Sequence, residues 1–215
     1  IRQFTYLANV DYIENGAGQL ESRVQNGRFS LERQNSDTFA VESTTDYELL
    51  LRPFTVAKGV VLAPGGYSFS DVSLSYGMGL QRRVSGTWTV QRGQFYDGTI
   101  SAFSYTGARA SLLKQWSIEP SVSLNDVRLP AGRFRTALLR TRSDYGFSPR
   151  IFASALLQYS STDRVFSSNL RFRWEYVPGS EVFVVYTDER DSLKPGYPDL
   201  KNRAFVVKVN RLFRL

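Results

Sequence analysis

The chain has no cysteine, no histidine and a single methionine in 215 residues. Without cysteine there is no disulfide, thiolate nucleophile, redox pair or zinc knuckle. Without histidine there is no Ser-His-Asp triad, imidazole metal ligand or near-neutral proton shuttle. Long apolar runs are missing too. The longest, at 182–186, falls far short of the roughly 18–20 residues that a transmembrane helix needs. No window carries a helical stripe. A membrane β-barrel stays open, because alternating strands average to modest hydropathy. Alternation begins almost at Ile1 with no leader-like apolar core before it, which reads as a mature, fragmentary or truncated chain.

What is present is charge, aromatic rings and a period of two. Lys and Arg number 27 against 20 Asp and Glu, for a net charge of +7. Such an excess favours anionic partners. The charges are scattered singly, with Arg82 and Arg83 the only adjacent basic pair. No basic run tracks a phosphate backbone, so nucleic acid is not expected as a partner.

The even positions of Phe4, Tyr6, Ala8, Val10 and Tyr12 are apolar and the odd ones between them mostly polar. The same form recurs at 84–90 and 116–124, and most cleanly at 170–176, where Leu170, Phe172, Trp174 and Tyr176 interleave with Arg171, Arg173 and Glu175. Strict alternation means a strand with one wet and one apolar face. Clusters of Gly, Pro, Asn, Asp and Ser at 15–18, 35–37, 64–66, 129–132 and 177–180 supply turns. Near Gly27 and Asp71 the alternation slips, and a β-bulge is expected at each. About twelve strands of roughly 9–13 residues result, long enough to span a bilayer when tilted.

With the C-terminus taken as periplasmic, alternate connections fall outside and inside. The stretches 188–203, 160–168, 125–132 and 46–66 then read as long outer loops. The stretches 177–180, 147–150 and 114–115 read as short inner turns. This is the asymmetry of an outer-membrane barrel. Trp116, Tyr145, Phe147, Trp174, Tyr176 and Phe213 fall near the inner strand ends, where an aromatic girdle would sit. The competing reading of these rings is the core of a soluble β-sandwich.

On the last strand, Phe205, Val207 and Val209 suit a lipid face and leave Lys208, Asn210 and Arg214 for the lumen. The ending resembles the assembly signal of outer-membrane proteins, with Lys208, Asn210, Phe213 and Leu215 in its slots. Asn210 replaces the usual glycine, and Leu215 the usual terminal aromatic residue. The resemblance implies handling by the barrel-assembly machinery.

Seven segments together resemble one family. They are VVLAPGGYSF at 60–69, GQFYDG at 93–98, RLPAGRF at 128–134, YGFSPRIF at 145–152, LQYSS at 157–161, LRFRWEYVPGSEVFVVYT at 170–187 and the stretch 202–215. The family is the C-terminal outer-membrane β-barrel domain of unknown function that follows family-nine carbohydrate-binding-like modules in Gram-negative proteins. The resemblance covers about the last two-thirds of the chain. It implies that an upstream module and earlier strands can belong to the complete protein, and it brings no catalytic residues.

Three groups of residues invite a chemical reading. Arg171, Arg173, Glu175, Lys208, Asn210, Arg214, Arg135 and Arg140 are the lumen-facing candidates, with Arg142 beside them. Guanidinium forks suit carboxylates and phosphates, so they form either an anion-attracting lumen or a lattice of Arg-Glu pairs filling it. The run Asp188, Glu189, Arg190, Asp191 reads as a solvated outer loop rather than a catalytic carboxylate pair or a calcium site. Outer Arg and Lys residues can also meet lipopolysaccharide phosphates.

The sequence therefore predicts a single all-β region over 1–215, an antiparallel transmembrane β-barrel or part of a larger one. The expected role is a non-enzymatic anchor, channel or transport barrel in the bacterial outer membrane. Catalytic residues, metal ligands and cofactors are not expected. The expected partners are outer-membrane lipid, lipopolysaccharide, the barrel-assembly machinery and a small anionic or sugar solute. A soluble carbohydrate-binding module and an outer-membrane hydrolase are the alternatives.

Overall fold

The structure, a computed structural model, describes residues 1–193 and 199–213. Its elements are β1 (Gln3–Glu14), β2 (Leu20–Glu32), β3 (Thr38–Leu50), β4 (Phe54–Ala57), β5 (Val60–Leu62), β6 (Gly65–Met78) and β7 (Val84–Phe95), followed by β8 (Gly98–Leu113), β9 (Trp116–Leu129), β10 (Gly132–Ser148), β11 (Ile151–Ser160), β12 (Val165–Val177), β13 (Ser180–Asp191) and β14 (Asp199–Asn210). Twelve of these form one antiparallel sheet whose order follows the chain, with β4 and β5 set aside as a separate hairpin. The all-β antiparallel fold that the alternation predicts is present. Among the described residues the sheet is not closed: β1 pairs with β2 alone and β14 with β13 alone, and both edge strands are exposed along their whole length.

Several strands are longer than expected, with β8 at 16 residues and β10 at 17. β9 and β13 run into stretches that the sequence predicts as loops. Only 130–131 separates β9 from β10, and 161–164 separates β11 from β12. Asp188, Glu189, Arg190 and Asp191 belong to β13 rather than to a solvated loop. The cause is cross-strand pairing, since Asp188 faces Arg203 and Glu189 faces Asn202, and this extends the ladder past its apolar part.

The bulges expected at Gly27 and Asp71 are absent. Gly27 pairs in register with Ala8 and Ser43, and Asp71 with Thr44 and Gly93. Register shifts lie elsewhere, beside turns at Ile13/Glu14, Gly146/Ser148 and Glu175/Val177, in the small hairpin at Thr55/Ala57, and near the end of β13 at Glu189/Arg190. The sequence pattern slips for another reason. On β6, Tyr76, Leu74 and Val72 lie on one side, and toward the other end of the strand the apolar residues Phe69 and Tyr67 lie on the opposite side. The backbone keeps its register while the buried side changes.

Two compact units divide the chain. The first comprises Ile1–Arg82, Gly86–Tyr105 and Ser123–Thr136. Its nucleus is Leu50, Val60, Leu62, Val127 and Leu129, with Tyr67, Phe95, Tyr96, Ile100 and Phe134 packed around it. The region read as one outer loop, 46–66, thus contains the end of β3 and a hairpin that docks onto the sheet. Leu50 has the strand parity of Glu42 and Glu48, and Tyr67 faces Glu48, so the hairpin covers the polar side. Tyr96 takes a left-handed φ of 51° in the turn between β7 and β8 and donates its hydroxyl to Glu48 at 2.6 Å. Burial, followed by that bond to Glu48, raises the Tyr96 phenol well above its ordinary range.

At the turns after β2 and β6, Asp37 is 1% exposed yet fully partnered. It accepts from the Gly79 amide at 3.0 Å, Tyr76 at 3.0 Å, Asn35 at 2.8 Å and Arg82 at 2.5 Å. The second unit comprises Arg83–Ser85, Thr106–Val122 and Ala137–Leu215. In it, Gly179 turns β12 into β13 at φ +78°, and its amide donates to Glu175 at 3.0 Å. A Cβ there would also meet Leu212, so glycine is required twice over.

Candidate functional site

The sheet has two chemically distinct sides, and register shows what each carries. In the first unit, directly opposed residues form the row Phe4, Leu31, Phe39, Tyr76, Trp88 across five strands. The next row on that side is Tyr6, Phe29, Val41, Leu74, Val90. Trp88 stacks on Tyr105 with ring centroids 3.9 Å apart. In the second unit, the rows are Ile151, Trp174, Val182, Val209 and then Ala153, Phe172, Val184, Val207. A third runs Ala155, Leu170, Tyr186, Phe205. Most of these side chains face outward: Trp174 is 45% exposed and Phe205 66%.

The opposite side is polar. In the second unit its rows are Ser154, Arg171, Val185, Val206 and Phe152, Arg173, Phe183, Lys208. The end of the sheet adds Glu175, Glu181 and Asn210. Arg140 faces Gln158, which faces Ser167, so it shares this side. The structure therefore brings Arg171, Arg173, Glu175, Lys208, Asn210 and Arg140 to one face. Arg173 ion-pairs with Glu181, its guanidinium lying 6.0 Å from the Phe183 ring centre. Arg171 donates to Asn169 at 2.8 Å.

Arg135 stands apart from that group. It lies at an odd position of β10 while Arg140 lies at an even one, and it sits 3.4 Å from Asp126, which Arg133 holds at 2.7 Å. Arg214 and Leu215 lie outside the described residues.

The predicted interface aromatics fall at strand ends of the second unit. Trp116 opens β9 and donates its indole N–H to Ser143 at 2.9 Å. Tyr145 and Phe147 meet edge to face at 4.6 Å near the end of β10. Trp174 and Tyr176 do the same at 6.1 Å near the end of β12, and the Tyr176 hydroxyl donates to the Asn210 carbonyl at 3.1 Å. Phe213 is 72% exposed, with Arg211 over its ring at 4.9 Å.

Two features escaped the sequence reading. One is the aromatic-rich row of the first unit, visible in the sequence only as single side chains on five separate strands. The other is the Asp188 centre, where Arg190 donates at 2.6 Å, Arg203 at 3.0 Å and Tyr186 at 3.1 Å to a carboxylate that is 5% exposed. The i, i+2 spacing of Tyr186, Asp188 and Arg190 was the available signal. Among the described residues, no group of three or more acidic side chains is arranged to hold a metal ion.

Comparison with known proteins adds no relative. No family model, no curated protein and no solved structure matches the chain.

Proposed function

We propose that this chain forms the membrane-embedded sheet of a bacterial outer-membrane β-barrel protein, serving without catalysis as an anchor or solute-passing barrel. The observation that carries the reading is inverted burial. Among the described residues the buried apolar side chains are few (Ala40, Leu50, Val60, Leu62, Tyr105, Ala108, Val127 and Leu129), whereas cross-strand rows of Phe, Tyr, Trp, Leu and Val are largely exposed. A water-soluble domain of this size buries most of its large apolar side chains and does not expose such patches. Lipid supplies the missing apolar neighbour for those rows.

Strand lengths support the same reading, since tilted strands of about 9–11 residues suffice to cross a bilayer. An open strand edge is not tolerated in hydrocarbon, so β1 and β14 take up partner strands there. Trp116, Tyr145, Phe147, Trp174, Tyr176 and Phe213 then lie at the periplasmic headgroups, and the opposite rim meets lipopolysaccharide. Lys208, Asn210 and Phe213 serve the assembly machinery. The family resemblance of the later segments belongs to the same proposal, as does the absence of an enzymatic role. The polar side, with Arg171, Arg173, Lys208 and Arg140, becomes the lumen and handles a small anionic or sugar solute.

Gel mobility in detergent tests the membrane reading. A barrel migrates differently before and after boiling. Extraction of the folded chain in plain buffer, with unchanged mobility on boiling, defeats the proposal in favour of a soluble all-β carbohydrate-binding module. Planar-bilayer conductance then separates channel from anchor.

A further inference from the structure

The polar side of the second unit has an open place of ligand size. A cavity of about 720 Å³ lies on β8, β9, β10 and the start of β11, and shares Arg142 with a smaller neighbouring cavity of about 200 Å³. The larger falls within the range of small-molecule sites, but polar side chains line much of it, which suits a polar ligand. Across the two cavities, four cations (Arg109, Lys114, Arg140 and Arg142) face two carboxylates, Glu119 and Asp144.

Only one of those cations is neutralised. Arg142 lies 2.9 Å from Asp144. Arg109, Lys114 and Arg140 have no carboxylate within ion-pair distance among the described residues. Other arginines are held by carboxylates, as at Arg173–Glu181 and Arg133–Asp126, or by an amide, as Arg171 is by Asn169. Unpaired cations converging on open space are the mark of a site for an anion rather than of a structural lattice.

Within β8, Gly107 adopts φ +59° beside the buried Ala108, and Arg109 follows on the cavity lining. Ser111 and Ser117 add hydroxyls to the lining, and the Phe152 ring, 37% exposed, offers an apolar plate.

We propose that this groove binds a sugar-sized oxyanion, a carboxylate or a phosphate ester on a monosaccharide-scale body. Cations hold the acid group, hydroxyls meet the sugar hydroxyls and the ring of Phe152 packs on the apolar sugar face. The inference rests on the solute-handling part of the proposed function and not on membrane insertion.

Calorimetric titration of the full chain, refolded in detergent micelles, uses glucuronate, glucose 6-phosphate and glucose as probes. The anions are expected to bind, with glucose at least about tenfold weaker. The double substitution Arg109→Ala with Lys114→Ala is expected to weaken anion binding by about tenfold or more. The strand signal in circular dichroism should persist, because neither side chain holds an ion pair. Arg109→Lys, which keeps the charge but loses the fork, should fall between. Binding of glucuronate alone, or of glucose 6-phosphate alone, supports the site and identifies the acid group. Failure of both anions to bind, equal binding of glucose, or wild-type affinity in the double variant overturns it. A chain that binds glucuronate yet needs no detergent overturns the membrane reading and leaves the site standing.

Discussion

At the β4–β5 hairpin, Leu50, Val60, Leu62, Val127 and Leu129 close over one another and exclude water from the polar side of the sheet. In the second unit, Arg109, Lys114 and Arg140 line open space instead. In the first region, apolar residues stand at the parity that alternation marks as polar, and a hairpin covers them. In the second, among the described residues, charge lines the open space. A residue's parity thus predicts its direction but not what meets it.

The largest effect is expected where the hairpin is pinned. Leu62 is 2% exposed, and Leu62→Ala should cost about 2–5 kcal/mol in denaturant unfolding by loss of contacts and creation of a cavity. Leu62→Asp should release the hairpin altogether, making residues 54–62 accessible to protease while the strand signal persists. If the segment stays protected, the hairpin is held by something other than its apolar face. In a conducting barrel the same variant should raise single-channel conductance, since the hairpin occupies the polar side.

A smaller effect is expected at Gly98, where a Cβ would overlap the Arg128 carbonyl and crowd Leu129. Gly98→Ala should therefore destabilise by about 1–3 kcal/mol through overpacking beside the hairpin's docking surface. The equivalent change at Gly107, where nothing lies within 4 Å of a new Cβ, meets only the backbone cost of its positive φ. Comparing the two by unfolding midpoint measures how much tighter the covered region is than the open one.

Asp37 sharpens the contrast from the charged side, because it is a carboxylate buried with every need met. The hydrogen bond from the Gly79 amide, aided by Tyr76, Asn35 and Arg82, holds its acidity below the ordinary carboxylate value despite the opposing effect of burial. A depressed folded value means stability that is present above the ordinary range and lost as pH falls through the folded one. Asp37→Asn should therefore lower the unfolding midpoint at pH 7, and its deficit should shrink below about pH 4. A deficit independent of pH would assign the loss to shape rather than charge. At the small end, Arg109→Ala with Lys114→Ala should leave the midpoint almost unchanged, since exposed charges without partners contribute little stability.

The twelve-strand antiparallel order and the shared side of Arg171, Arg173, Glu175, Lys208 and Asn210 were legible because both follow from a period of two. Arg140 joined that side and Arg135 did not, a parity difference readable from their spacing of five. The ladder through Asp188 to Asp191 was not legible, because polar residues on both sides of a strand look like a loop until a partner strand lies beside them. The hairpin was hidden for a related reason. Residues 54–62 gain their cover from Val127, Leu129 and Phe134, more than sixty residues away in the chain. The slip at Asp71 resembles a bulge because a change of buried side and a change of register leave the same mark on a one-dimensional pattern.

The sequence by itself determined that this chain forms antiparallel strands with one apolar and one charged side, and that it carries neither histidine nor cysteine for catalysis. These are local properties, settled by what each residue is and by its nearest neighbours along the strand. Only the tertiary structure decided where the polar side is closed by a hairpin, where it is left open and lined with unpaired cations, and which carboxylates are buried. Those outcomes depend on residues brought together from distant strands, and the free energy of covering a surface belongs to both partners at once.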